Sequence, residues 1–67
     1  MVRSAERKTM LDVKAAAEWL GVEERFIRRL VAERRVRYYK VGRHVRFDAD
    51  DLDGFLARSR VEPNEAA

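Results

Sequence analysis

The sequence contains no cysteine. Disulfide cross-links and thiolate metal sites are therefore excluded, and stability must come from ordinary apolar packing. It has a single histidine, His44, so no histidine cluster exists to hold a metal. No stretch approaches the roughly 20 apolar residues that a membrane span needs. Residues 1 to 8 are polar and lack the apolar core of a secretory leader. The expectation is a soluble, cytoplasmic protein, of a bacterial cell or a phage-infected host, with no membrane partner. No internal repeat and no low-complexity block is present. At 67 residues the chain makes one domain, and a domain near this size buries only about 60% of its unfolded surface. That leaves no room for a deep, water-excluded catalytic cavity beside a core. No nucleophile–base pair and no metal constellation is found, so the expectation is a non-enzymatic protein without cofactor.

The chain is nevertheless 46% apolar, which is normal for a folded domain. The ordered part is expected over residues 9–60. A disordered basic arm (Arg3, Arg7, Lys8) is expected at 1–8. A flexible tail is expected at 61–67, where Pro63 stops any helix. Asp12 reads as the cap of a first helix carrying Val13, Ala16, Ala17 and Leu20 at helical spacing. Gly21 reads as its left-handed end. A second helix follows almost at once, with Val22, Phe26, Ile27, Leu30 and Val31 as one apolar stripe. Two amphipathic helices joined by so short a glycine turn form a helix-turn-helix, with Val22 expected to plug the corner.

After Glu33 the period changes from helical to strand-like. Val36 to Val41 and His44 to Phe47 predict two strands joined by a glycine-opened two-residue turn, Gly42-Arg43. Val36, Val41, Val45 and Phe47 are expected to lean the hairpin on the helices, and Met10-Leu11 to lie beside it. Tyr38 and Tyr39 cannot both face inward, so one is exposed. Asp48, Asp50, Asp51 and Asp53 crowd the start of a third helix, where the dipole favours acids. They lack the glycine and distal glutamate of a calcium loop, so capping explains them better. Leu52, Phe55 and Leu56 form the buried face of that helix, and Arg58 and Arg60 close its end. Trp19 is read as a partly buried core residue or a surface anchor. The fold class is mostly α with a small β-hairpin, in the order helix-turn-helix, hairpin wing, helix.

The most informative feature is where the charge lies. The net charge is only +3, and arginine outnumbers lysine 12 to 3. From Arg25 to Arg46, however, nine bases face one acid, Glu33, for a local charge of +8; the remainder carries six bases and eleven acids, or −5. Like charges at this density repel, and a polyanion partner gives that cost a purpose. The partner expected is double-stranded DNA. A helix-turn-helix lays its second helix in the major groove. Arg25, Arg28 and Arg29 share a face there, with arginine suited to guanine O6 and N7. Glu24 beside them either accepts from cytosine N4 or complements the helix start. Lys40, Arg43 and Arg46, with His44 beside them as a candidate contact, place further positive charge on the hairpin, whose narrow tip suits a minor groove.

The chain from Met10 to Leu56 resembles the excisionase-type, MerR-like winged helix-turn-helix family. The residues that carry this are Leu11-Asp-Val-Lys-Ala-Ala-Ala-Glu-Trp-Leu-Gly-Val22, Ile27-Arg-Arg-Leu30, Tyr39-Lys-Val-Gly-Arg-His-Val-Arg-Phe47, Asp51-Leu52 and Phe55-Leu56. The resemblance implies a recombination directionality factor. Such a protein binds attachment-site DNA beside the integrase of a phage or mobile element, often as several copies in a row. It bends the DNA and does no chemistry itself. The same family includes small transcriptional regulators, and a protein-interaction module with an acidic partner is the reading from another class. A monomer in solution that associates along DNA is expected. Two departures stand out. Glu23 and Phe26 replace the serine and threonine common at the start of the second helix, removing two phosphate-binding hydroxyls. Arg34 replaces the usual glycine after that helix.

Overall fold

Asp12 starts the first helix as its side-chain chemistry requires. Its backbone is extended, and its carboxylate accepts a hydrogen bond from the Ala15 amide at 2.8 Å. Helix α1 then runs Val13–Leu20 in the computed structural model, which describes residues 9–63. The expected arm at 1–8 and the last four residues of the expected tail lie outside the described residues. Gly21 ends α1 in the left-handed region, at φ 72°. The Val22 amide donates to the Ala17 carbonyl at 2.9 Å and the Gly21 amide to that of Glu18 at 3.3 Å. This double closure turns the chain sharply into helix α2, Glu24–Ala32. Val22 does not plug the corner as expected. It is 36% exposed on a side that no further layer covers, and main-chain bonds hold the turn. Ile27 and Leu30 are fully buried, while Phe26 and Val31 pack at the margin.

The exit of α2 repeats the same device without glycine. Arg34 sits at φ 57°, the one non-glycine among the described residues with positive φ. Its amide donates to Val31 at 3.1 Å and the Arg35 amide to Leu30 at 2.9 Å. The backbone role of the missing glycine is thus kept, at the steric cost a Cβ meets there. The turn sends Val36 straight into the core. For that reason the first hairpin strand does not begin at Val36. Strand β2 is only Tyr39–Val41.

Strand β3, His44–Asp48, pairs antiparallel with β2, with Val41 opposite His44. The loop between them is Gly42-Arg43, with Gly42 at φ 63°. Met10–Leu11 forms the short strand β1 on the other side of β3, so the sheet order is β1-β3-β2. Leu11 lies opposite Phe47 and shares its inward face. Lys40 lies opposite Val45 and Val41 opposite His44. Alternation therefore puts Val41 on the outer face, 57% exposed, against the expectation that it leans on the helices. Phe47 is fully buried, and Val45 packs against the core from its edge. Tyr38 is half-buried and Tyr39 exposed, as the alternation requires.

Helix α3, Ala49–Arg58, follows β3 without a loop. The Asp48 carboxylate accepts from the Asp50 amide at 2.9 Å, and the Ala49 amide donates to the Thr9 carbonyl at 3.0 Å. Leu52 is fully buried and Phe55 packs beside it. Leu56, expected inside, is 44% exposed, because its side of the helix has no layer to cover it. Arg58 occupies the last turn. Arg60 lies beyond it and pairs with Glu62 at 2.8 Å. Ala16, Ala17, Ile27, Leu30, Val36, Phe47 and Leu52 together form the core. The architecture is a winged helix-turn-helix with a three-stranded sheet. No helix of the described residues is long and apolar enough to cross a membrane.

Arg34→Gly removes the left-handed penalty and should raise stability by about 1 kcal/mol. In a domain of this size that is a rise of roughly 4–8 °C in Tm. Thermal unfolding followed by circular dichroism checks it; an unchanged or lower Tm contradicts the strain at this residue.

Candidate nucleic-acid interface

The exposed face of α2 carries Arg25, Arg28 and Arg29, as the spacing predicted. Their surroundings differ. Arg25 Nε donates to Glu23 Oε1 at 2.9 Å. Arg28 Nη2 donates to Glu24 Oε1 at 3.3 Å, one helical turn away. Arg29 makes no ion pair with the described residues. The side chain of Glu23 thus does not cap α2; the Glu23 carbonyl closes the first turn instead, accepting from Phe26 at 3.0 Å and Ile27 at 3.4 Å. Glu24 is engaged by Arg28 and lies in the acidic first turn of the helix. Exposed pairs of this kind contribute at most about 1 kcal/mol, so the guanidinium groups exchange partners readily.

On the hairpin, Lys40, Arg43 and His44 are exposed, with Arg43 at the tip. Arg46 differs from the other predicted residues. It is half-buried, and its Nη1 donates to the Val45 carbonyl at 2.8 Å, so it is bound to its own hairpin. The arginines of α2 and the bases of the hairpin belong to one basic run of the sequence, from Arg25 to Arg46. The sequence reading assigned no role to the connection between them. There Arg34, Val36, Arg37, Tyr38, Tyr39 and Asp51 line an open groove of about 440 Å³. The run of bases itself was the signal that could have pointed to it.

The aspartates act in different ways. Asp48 caps α3, and Asp50 and Asp51 occupy its first turn. Asp53 instead bridges two helices. Its Oδ1 accepts from Trp19 Nε1 at 2.7 Å, tying α1 to α3 at the surface. Trp19 is 46% exposed, and of the two readings the surface anchor is the correct one. No group of three or more His, Cys, Asp or Glu among the described residues is arranged to hold a metal ion.

Residues 10–60 match the helix-turn-helix domain family, and the chain belongs to that family of small, excisionase-like DNA-binding domains. Domains of this family are generally non-enzymatic. No curated protein matches the chain.

Trp19→Phe keeps an aromatic ring at the surface and removes the bond to Asp53 together with the five-membered part of the indole. The expected loss is about 0.5–1.5 kcal/mol of stability, with affinity for DNA unchanged. Chemical denaturation and a duplex titration check the two halves, and a several-fold loss of DNA affinity would place the interface on this side instead.

Proposed function

We propose that this protein binds double-stranded DNA in a sequence-specific manner, with α2 in the major groove and the hairpin tip in an adjacent minor groove or on the backbone. One observation carries the reading: within a helix-turn-helix fold, the exposed bases are concentrated on the element that enters the groove and on the wing that follows it. Arg28 and Arg29 are assigned to base edges, where a guanidinium donates twice to guanine. Arg25 is assigned to a phosphate, in place of the absent serine and threonine. Arg43, flanked by Lys40 and His44, is assigned to the narrow groove, where the potential is most negative. Arg46 is assigned to the DNA backbone beside them, with the guanidinium donors left over from its bond to the Val45 carbonyl. The protein acts as a monomer that associates along DNA.

The finer role proposed is that of an excisionase: binding attachment-site DNA, bending it and directing an integrase towards excision. The family match and the hairpin motif Lys40-Val-Gly-Arg-His-Val-Arg-Phe47 support it. An excision reaction with a candidate integrase, run with and without the protein, is the test. Stimulated excision supports the role. No effect on recombination, with repression of a nearby promoter, replaces it with that of a transcriptional regulator using the same surface.

DNA binding itself has a quantitative signature. If about six cations neutralise phosphates, log K should fall with log salt with a slope of about −5. Absence of duplex binding even at low salt would overturn the DNA reading and leave the acidic protein partner. Arg29→Ala should weaken binding to a specific site more than to random duplex, by about 1–3 kcal/mol. Equal losses on both would restrict Arg29 to phosphate. Arg43→Ala should lower affinity at unchanged Tm; unchanged affinity removes the wing from the mechanism.

A further inference from the structure

The segment joining α2 to the hairpin holds an arrangement that neither the reading helix nor the wing tip explains. Arg34, Arg35 and Arg37 follow one another within four residues. Arg35 pairs with Glu33 at 3.4 Å. Arg34 and Arg37 make no ion pair with the described residues, and both line the open groove. Val36 between them is buried, which fixes the segment to the core. Tyr38 and Tyr39 line the same groove, as does Asp51 from the first turn of α3.

We propose that this groove is a seat for one phosphodiester of the DNA backbone, held by Arg34 and Arg37. The proposal rests on the DNA-binding reading above and adds a site to it. Two guanidinium groups against one carboxylate leave a surplus of one positive charge, which matches a monoanionic phosphodiester. Guanidinium groups offer the forked donors that phosphate oxygens accept. The groove is open rather than enclosed, so a polymer backbone can pass along it where a small captured ligand would be left exposed. The tyrosines provide a surface for the adjoining sugar. The seat lies in the chain between the element assigned to the major groove and the element assigned to the minor groove, and a DNA backbone is what separates those two grooves.

The backbone at Arg34 makes a clean variant available. Glycine would adopt φ 57° without strain. Holding an arginine in that conformation costs stability, and the turn that closes α2 is what demands the conformation. In the proposed seat Arg34 costs stability at its backbone and holds the phosphate through its side chain. Asp51 opposes the phosphate and limits how tightly the seat holds it.

The test is a fluorescence-anisotropy titration of the full chain with labelled duplexes over a series of salt concentrations. The variants are Arg34→Gly, Arg37→Gln and Asp51→Asn. Arg34→Gly keeps the backbone conformation, so its folding is not in question. Each arginine variant should lower the magnitude of the salt slope by about 1, with an equal loss on specific and unrelated duplexes. Asp51→Asn should raise affinity, by about threefold at low salt. Unchanged salt slopes in the arginine variants, with the wild-type protein binding DNA normally, overturn the phosphate seat and leave the DNA reading intact. A loss confined to one DNA sequence also overturns it, since that is the mark of a base contact. Failure of the wild-type protein to bind any duplex overturns the DNA reading and the seat together.

Discussion

The burial of Phe47 is the constraint on which the rest of the structure depends. It is the largest fully buried side chain and sits on the central strand of the sheet. Around it lie Ala16 and Ala17 of α1, Ile27 and Leu30 of α2, and Leu52 of α3. The alanines matter through their size, because they let the helix come close to its neighbours. A short hairpin has little stability of its own. Phe47, with Val36 and Leu11, gives this one a fixed seat on the helical layer. The orientation of the wing relative to α2 is therefore a packing property, set away from any DNA. In so small a domain no second core exists to maintain it if this one fails.

The basic surface is built against electrostatic and steric cost. Glu23, Glu24 and Glu33 each screen one neighbouring arginine, but the pairs are exposed and weak. Most remaining acids lie elsewhere, several of them at the start of α3, where capping and the helix dipole stabilise them. The molecule thus has a cationic segment suited to a polyanion and an acidic third helix whose charges serve the fold. Arg34 combines both costs, as a cation in a run of cations and a side chain at positive φ.

Much of this was legible in the sequence, because the signals were local. Asp12, Gly21, the Gly42-Arg43 turn and the aspartates before Leu52 each act within a few residues, and each does what its chemistry predicts. Even the two-residue strand at Met10 was readable from its position beside the hairpin. The misjudged residues share one cause. Val22, Val41 and Leu56 are apolar and lie on or beside amphipathic stripes, yet each faces a side on which a thin domain has no further layer. Sequence spacing defines a stripe without telling how much of it the small core can cover. The Trp19–Asp53 bond joins residues 34 apart and leaves no local trace. The exposure of the α2 arginines and of the wing tip was readable from charge and period. The engagement of Arg46 by its own strand was not, nor was the groove at Arg34 and Arg37, since both depend on where the chain turns after α2.

The most direct test of the central claim, that α2 and the wing form the DNA-binding surface, is an NMR titration of the labelled protein with a short duplex. Chemical-shift changes are expected to concentrate on the amides of residues 25–29 and 42–44, with the surface around Trp19 and Asp53 unmoved. Changes centred on Trp19 and Asp53, with α2 and the hairpin tip silent, would contradict it.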